Sequence, residues 1–266
     1  MKRLQTICSL ISKCRVFADI GCDHGQVALF VAKNGLADTV VAADISEQCL
    51  KKAKVLIENW KKQREFLNSE GRAGDFCDCF SKAEFLGDTD SGKPISKVEL
   101  FVSDGLKSIP RFPDQIVICG MGGHTIINIL TDYFDKIKKE NSILKNSSQP
   151  IAPPALILSP HTDTPSVRRF LSQNGYYLSS DILISDKDKF YYAIKAEKTS
   201  AFSKKTDKKR QKLSPLQLEF GVFYKNKCPD MAKKLDISLQ KTSQFKPTPQ
   251  NKKTIKQIKK AQKWQK

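Results

Sequence analysis

DIGCDHG, residues 19–25, follows directly on the apolar run Val16, Phe17, Ala18, and its reading decides the fold. An apolar stretch that stops at acids and glycines is a buried strand entering a tight turn. Gly21 and Gly25 let the backbone reverse there. Asp19, Asp23 and His24 put titratable groups into that turn. A chain that places charge at so constrained a point of its core is building the wall of a cleft.

Working outward, strand-like runs alternate with helical patterns. Residues 16–20 form the first strand and 27–34 a short helix ended by Gly35; residues 39–44 (TVVAAD) form the second strand. Ser46 then caps a helix with Glu47 in its first turn and Ala53, Leu56, Ile57 and Trp60 along one face. Further strands are expected at 97–103 (KVELFVS), 115–119 (QIVIC) and 155–159 (ALILS), with a helix at 123–139 between the last two. A helix at 165–173 precedes two strands, 176–184 and 189–196, joined by the polar turn SDKD. Alternating strands and helices imply an α/β fold: a Rossmann-like, doubly wound parallel sheet covered on both faces and ending in a hairpin.

This domain spans 1–198. Inside it, residues 67–96 are polar, glycine-bearing and long for a connection, and read as an irregular insertion. Residues 199–212 read as a charged linker. Residues 213–244 read as a helical extension, with Leu216, Phe220, Phe223, Met231, Leu235 and Leu239 apolar and Pro229 interrupting them. The Lys- and Gln-rich residues 245–266 are expected to be a basic, disordered tail.

Charge is distributed along the same boundary. The net charge is +18, yet residues 201–266 alone hold 19 Lys and Arg against 4 Asp and Glu. The basic excess belongs to the C-terminal end, and the partner it suits is a polyanion. Lys208, Lys209, Arg210, Lys212, Lys233 and Lys234 are the candidate contacts. No apolar run reaches the roughly 20 residues of a membrane span, and the start lacks a small-residue cleavage site, so neither membrane nor signal peptide is expected. The eight cysteines are mostly scattered; Cys77 and Cys79 form a C-x-C with no second pair, so no metal is expected. Unpaired thiols in a chain of this length point to the cytoplasm.

In a doubly wound sheet, ligands bind at the carboxyl ends of the strands. Five such ends carry chemistry: DIGCDHG, Asp44-Ile45, Ser103-Asp104-Gly105, GMGGH (residues 120–124) and SPHTD (residues 159–163). The first lacks the third glycine of a dinucleotide fingerprint, and its acids would repel a pyrophosphate. They suit a cation such as S-adenosylmethionine, with a sulfonium, an ammonium and a ribose diol. Asp44 lies 23 residues beyond Gly21, where a carboxylate takes ribose hydroxyls. Asp104 is placed to accept from an adenine amino group. Each piece has a plainer reading: an Asp-x-Gly turn can be only a turn, Asp44 can be only a helix cap, and Gly122 and Gly123 can serve packing alone.

DIGCDHG, VVAADIS, VSDGL, ICGMGGHTIINIL, LILSPH and VRRFLSQNGY together resemble the bacterial tRNA (adenine(22)-N1)-methyltransferases, class I S-adenosylmethionine-dependent enzymes acting in the D-arm region. LEFGVFYKNKCPDMAKKL is similar to that family's helical, coiled-coil extension. The resemblance spans nearly the whole chain except residues 67–96 and about the last twenty. It implies an enzyme that methylates N1 of an adenine in tRNA, as a cytoplasmic monomer. Cofactor contacts are implied at Asp19, Gly21, Asp23, His24, Asp44, Ile45, Asp104, Gly105 and Gly120. Gly120, Met121 and Gly122 are implied at the reacting base, where other adenine methyltransferases keep an Asn-Pro-Pro-Tyr loop, together with His161. Two departures stand out. Cys22 and Gly25-Gln26 replace the family's Ser and Ala-Tyr, and Ser159-Pro160-His161 replaces its Gln-Pro-Asn, so His161 must treat the base differently from that Asn. Two other readings fit the same cleft: a methyltransferase acting on another RNA, a protein or a small molecule, and a non-catalytic RNA-binding protein.

Overall fold

Phe17 and Ala18 point to opposite faces of one strand, and both are fully buried. A strand of that kind needs a layer on each side. The computed structural model, which describes residues 2–69, 96–144, 150–186, 189–198, 212–245 and 248–265, supplies both.

The elements run α1 (Lys2–Ser9), β1 (Cys14–Ile20), α2 (Gln26–Lys33), β2 (Ala37–Asp44), α3 (Glu47–Ser69), β3 (Lys97–Val102), β4 (Gln115–Cys119), α4 (Gly123–Ile143), β5 (Ala155–Ser159), α5 (Thr164–Gln173), β6 (Tyr176–Asp186), β7 (Lys189–Lys198), α6 (Pro215–Phe220), α7 (Pro229–Ser243) and α8 (Pro249–Gln262). The seven strands described form one sheet in the order β3-β2-β1-β4-β5-β7-β6. β1 to β5 are mutually parallel, and β7 enters antiparallel between β5 and β6. The chain winds outward from β1 to β3 and then crosses back to lay β4 on the other side of β1. That reversal between β1 and β4 is where such a sheet opens a crevice.

On one face Ala18, Ile20, Ile116, Ile118, Leu156 and Leu158 pack under Ile126, Leu130 and Ile137 of α4 and Val167 and Leu171 of α5. On the other, Phe17, Val40, Ala42, Val117 and Ile157 pack under Ile7 of α1 and Val27, Ala28 and Val31 of α2. Each large aliphatic side chain so buried contributes about 1.5–3 kcal/mol. Helix α1 has no counterpart in the sequence reading. Eight residues make only about two turns, too short a stretch for its period to be recognised, and the helix is held by burying Ile7 and Cys8.

The C-terminal region corrects an expectation. Disorder was expected over 245–266, but α8 forms there, capped by Thr248, whose hydroxyl accepts from Asn251 N–H at 3.1 Å, with Pro249 in its first turn. Ile258 and Ala261 are buried against Met231 and Leu235 of α7 and Tyr224. Composition misleads here because few apolar residues suffice when all lie on one face. Pro229, read as an interruption of the extension, stands where the break after α6 ends, as the first residue of α7. Most of the expected insertion and of the charged linker, and with them Lys208, Lys209 and Arg210, lies outside the described residues. Of the insertion, residues 67–69 complete α3.

Candidate active site

The turn after β1 is held by its own backbone. Gly21 and Cys22 N–H both donate to Ala43 O, at 2.8 and 3.1 Å, so the end of β1 is tied to the end of β2. Gly21, Asp23 and Gly25 have φ of 70°, 47° and 71°, and Asp23 holds that conformation without being glycine. Asp19 is 4% exposed and its carboxylate accepts from Ala28 N–H at 3.1 Å, closing the first turn of α2. Burial pushes its pKa up to about 7; the Ala28 bond opposes this and the nearby Asp44 charge adds to it.

Asp44 ends β2 with a carboxylate held at both oxygens. One accepts from Ser46 N–H at 2.9 Å and the other from Asp23 N–H at 3.1 Å. An ionised carboxylate has about four acceptor positions, so half of its capacity remains for hydroxyls of a ligand. The helix-cap alternative is thus partly realised, since Asp44 orders the approach to α3 and still has lone pairs to offer. Ser46 also accepts from Cys49 N–H at 3.4 Å. Beside Asp44, Ile45 and Val102 are 72% and 51% exposed at the ends of paired strands. Two apolar side chains at a polar strand edge suit a flat ring.

Buried Ser103 shapes the next turn, donating to Gly105 O at 2.9 Å and accepting from Ser108 N–H at 3.1 Å. Asp104 is exposed and receives Lys107 Nζ at 2.6 Å. Gly105, with φ of 59°, lies so near Ile129 that a Cβ would stand 2.8 Å from it. A cavity of about 630 Å³ borders Asp104 and runs along α4 past Thr125, Asn128 and Ile129.

The loops after β4 and β5 form one unit. His161 N–H donates to Met121 O at 2.8 Å, and Gly123 N–H donates to Thr162 O at 3.0 Å. His124 Nε2 lies 2.9 Å from Asp163 Oδ2. Met121 reaches across so that its terminal methyl fills the space a Cβ on Gly21 would need. Gly120, with φ of 82°, donates to Ser159 O at 3.3 Å. The hydroxyl of Ser159 is buried without a hydrogen-bond partner among the described residues.

His161 is exposed and meets two residues that the sequence reading passed over. Arg3 Nη1 is 2.6 Å from its Nε2, and the Tyr191 ring centroid is 5.7 Å from its own. Partial desolvation by its neighbours, then the charges of Arg3 and Lys189, pushes the His161 pKa below its ordinary value. His24 is exposed and stands 3.8 Å from Asp23. Neither Arg3 nor Tyr191 carries a local signal, because only the fold brings residues 158 apart together.

The expected RNA contacts divide. Lys212 and Lys233 are exposed. Lys234 is not an outward-facing cation: its Nζ donates to Tyr192 Oη at 2.9 Å and lies 4.1 Å over that ring. Burial, then the charge of Arg168, pushes its pKa down to about 8. Among the described residues no three His, Cys, Asp or Glu side chains gather as a metal site, and no helix is long and apolar enough to cross a membrane.

Residues 90–264 match the family model described as tRNA (adenine(22)-N(1))-methyltransferase, and residues 1–77 match a general methyltransferase domain. The tRNA (adenine(22)-N(1))-methyltransferase of Bacillus subtilis is 26% identical over 197 residues, which are 74% of this chain and 64% of that one. Among solved structures, Mycoplasma capricolum TrmK in complex with S-adenosyl-homocysteine superposes with a TM-score of 0.68 at 21% identity, covering 100% of this chain and 99% of its own. The crystal structure of the B. subtilis enzyme superposes with a TM-score of 0.59 at 24% identity, covering 99% and 96%. The structural likenesses carry the fold, and the family model, which spans most of the chain including the C-terminal helices, carries the kinship. The chain belongs to the tRNA (adenine(22)-N(1))-methyltransferase family.

Proposed function

We propose that the protein methylates N1 of an adenine in tRNA, at position 22, with S-adenosylmethionine as methyl donor. The observation that carries this is the acidic edge formed by the ends of β1 and β2, next to the β1–β4 reversal, where Asp44 keeps acceptor positions that no described residue fills beside Asp19 and Asp23. A cationic ligand with a ribose diol fits these residues, and a pyrophosphate does not. When bound, S-adenosylmethionine supplies a methyl group on a sulfonium that the in-plane lone pair of adenine N1 accepts without prior deprotonation.

The residues around it then have defined tasks. Asp44 takes ribose hydroxyls, and Ile45 with Val102 offers the adenosine ring an apolar seat. Asp104 and Gly105 line the adenine edge. Asp19, Gly21, Asp23 and His24 surround the methionine end, where the acids favour its positive charges. Gly120, Met121 and Gly122 line the path of the target base. No strong base is needed, so most of the acceleration comes from holding N1 in line with the methyl, an effect worth up to about 7–11 kcal/mol.

N1 lies on the pairing edge, so a stacked target must be extruded at a cost of a few kcal/mol. A basic surface that grips the backbone offsets that cost. Lys252, Lys256 and Lys259 of α8 and Lys263 just beyond it line a groove of about 860 Å³ with Trp264, which supports an RNA substrate over a metabolite. The reading takes the enzyme as a cytoplasmic monomer, because one copy supplies every strand end the cleft uses. The test is to incubate the protein with unmodified tRNA and labelled S-adenosylmethionine and map the product by mass spectrometry. N1-methyladenosine in the D-arm region is expected; label only on protein or metabolites rejects the proposal.

A further inference from the structure

Arg3 of α1, His161 of the loop after β5 and Tyr191 of β7 converge at the rim of the cleft, and the reaction as proposed gives Arg3 and Tyr191 no task. The guanidinium carbon of Arg3 lies 4.9 Å from the Tyr191 ring centroid, and the His161 and Tyr191 rings are inclined at 53°. A guanidinium can only donate, so His161 Nε2 must present its lone pair to Arg3 and carry its proton on Nδ1. The cluster borders the reacting segment: a Cβ built on Gly120 would lie 3.8 Å from Arg3 Nη2. His161 is fixed to the same segment through Met121 O. Two rings braced by a planar cation form the type of surface on which an unpaired base stacks.

We infer that Arg3 is a positioning residue for the target nucleotide: it locks His161 and Tyr191 into the wall against which the extruded purine stacks beside Gly120. This rests on the methyltransferase reading above. The groups facing His161 are Arg3 from α1 and Lys189 and Tyr191 from β7. Both Arg3 and Lys189 oppose its protonation, which keeps an imidazolium away from a base that becomes cationic on methylation.

The experiment compares the full-length protein with Arg3→Ala, Arg3→Lys, Tyr191→Ala and the Arg3→Ala/His161→Gln double variant. Turnover of unmodified tRNA is followed from pH 6 to 8.5, and S-adenosylmethionine is titrated by calorimetry, which also reports that each variant is folded. Arg3→Ala and Tyr191→Ala are expected to lower kcat by about 10- to 100-fold, with cofactor Kd within about twofold of wild type. Arg3→Lys recovers part of the rate. Without Arg3, His161 loses one of the charges that oppose its protonation, so at saturating cofactor the acid limb of kcat moves to higher pH in Arg3→Ala than in wild type, and the double variant lacks that shift; Asp19 contributes equally to every variant. Wild-type turnover in Arg3→Ala, an equal loss of cofactor affinity, or an acid limb of kcat unshifted from wild type overturns this inference while the enzyme remains a tRNA methyltransferase. A wild-type protein that methylates no tRNA overturns the functional reading, and this inference with it.

Discussion

Asp19 is an acid held where water does not reach, and its proton is a reporter of the cleft. Its folded pKa of about 7 stands above the ordinary 3.8, so between these values the folded chain keeps a proton that the unfolded chain releases. That contribution to stability is complete below pH 3.8 and declines as pH rises towards 7. Asp19→Asn should flatten the pH dependence of the urea midpoint across this window. A cationic ligand favours the ionised form, so S-adenosylmethionine binding near pH 6 should expel a proton. Calorimetry in two buffers of different ionisation enthalpy reads that proton, and Asp19→Asn should expel none. Asp44→Ala should weaken the cofactor by roughly 10- to 100-fold, since hydrogen bonds to a charged partner are worth about 1.5–3 kcal/mol. An unchanged calorimetric Kd would remove Asp44 from the ribose site. These acids were legible in the sequence because a strand's end is marked where its apolar run stops. Val102 and Tyr191 were not, because each sits in a run whose pattern reports only burial.

At the scale of elements, the two loops that follow β4 and β5 depend on an absent side chain. A Cβ on Gly123 would stand 2.7 Å from the carbonyl oxygens of both Thr162 and Asp163, and backbone does not yield as a flexible side chain would. Gly123→Ala should cost roughly 1–3 kcal/mol of stability and separate the loops, lowering turnover more than cofactor affinity. Thermal unfolding and steady-state kinetics measure the two effects. The bounds of β4 and β5 were legible to the residue, as short, mostly apolar runs set between Asp114 and Gly120 and between Pro154 and Pro160. α8 was missed for the opposite reason. Its buried face consists of Ile258 and Ala261, too little to stand out among lysines, and its existence depends on a partner helix remote from any local period.

Over the whole molecule, a buried joint fastens the C-terminal helices to the sheet domain. Arg168 is fully buried and donates to both oxygens of Asp181 at 2.8 and 2.9 Å, and to Leu218 O at 2.7 Å. Val222 N–H completes Asp181 at 2.8 Å, and Tyr192 Oη reaches Phe220 O at 3.2 Å. Arg168→Met strands a buried carboxylate and should cost about 3–5 kcal/mol in urea unfolding, and adding Asp181→Leu should recover much of it. Removing everything after residue 198 would strip the same joint, so loss of activity in that truncation would not identify an RNA contact. Replacing Lys252, Lys256, Lys259 and Lys263 by Gln leaves the joint intact. That variant should bind tRNA more weakly, with its log Kd against log salt slope reduced by roughly three and cofactor affinity unchanged. An unaltered slope would remove α8 from the interface.

The Arg168 fork has one more consequence. Because it clamps α6 and the start of the extension onto β6 and α5 by direct, buried hydrogen bonds, the span from the α8 lysines to Gly120 is a length set by folded structure, not by a leash. A ruler of that type selects by reach. Transcripts whose stem is lengthened or shortened by a few base pairs between the grip and the methylated adenine should bind as before yet go unmodified.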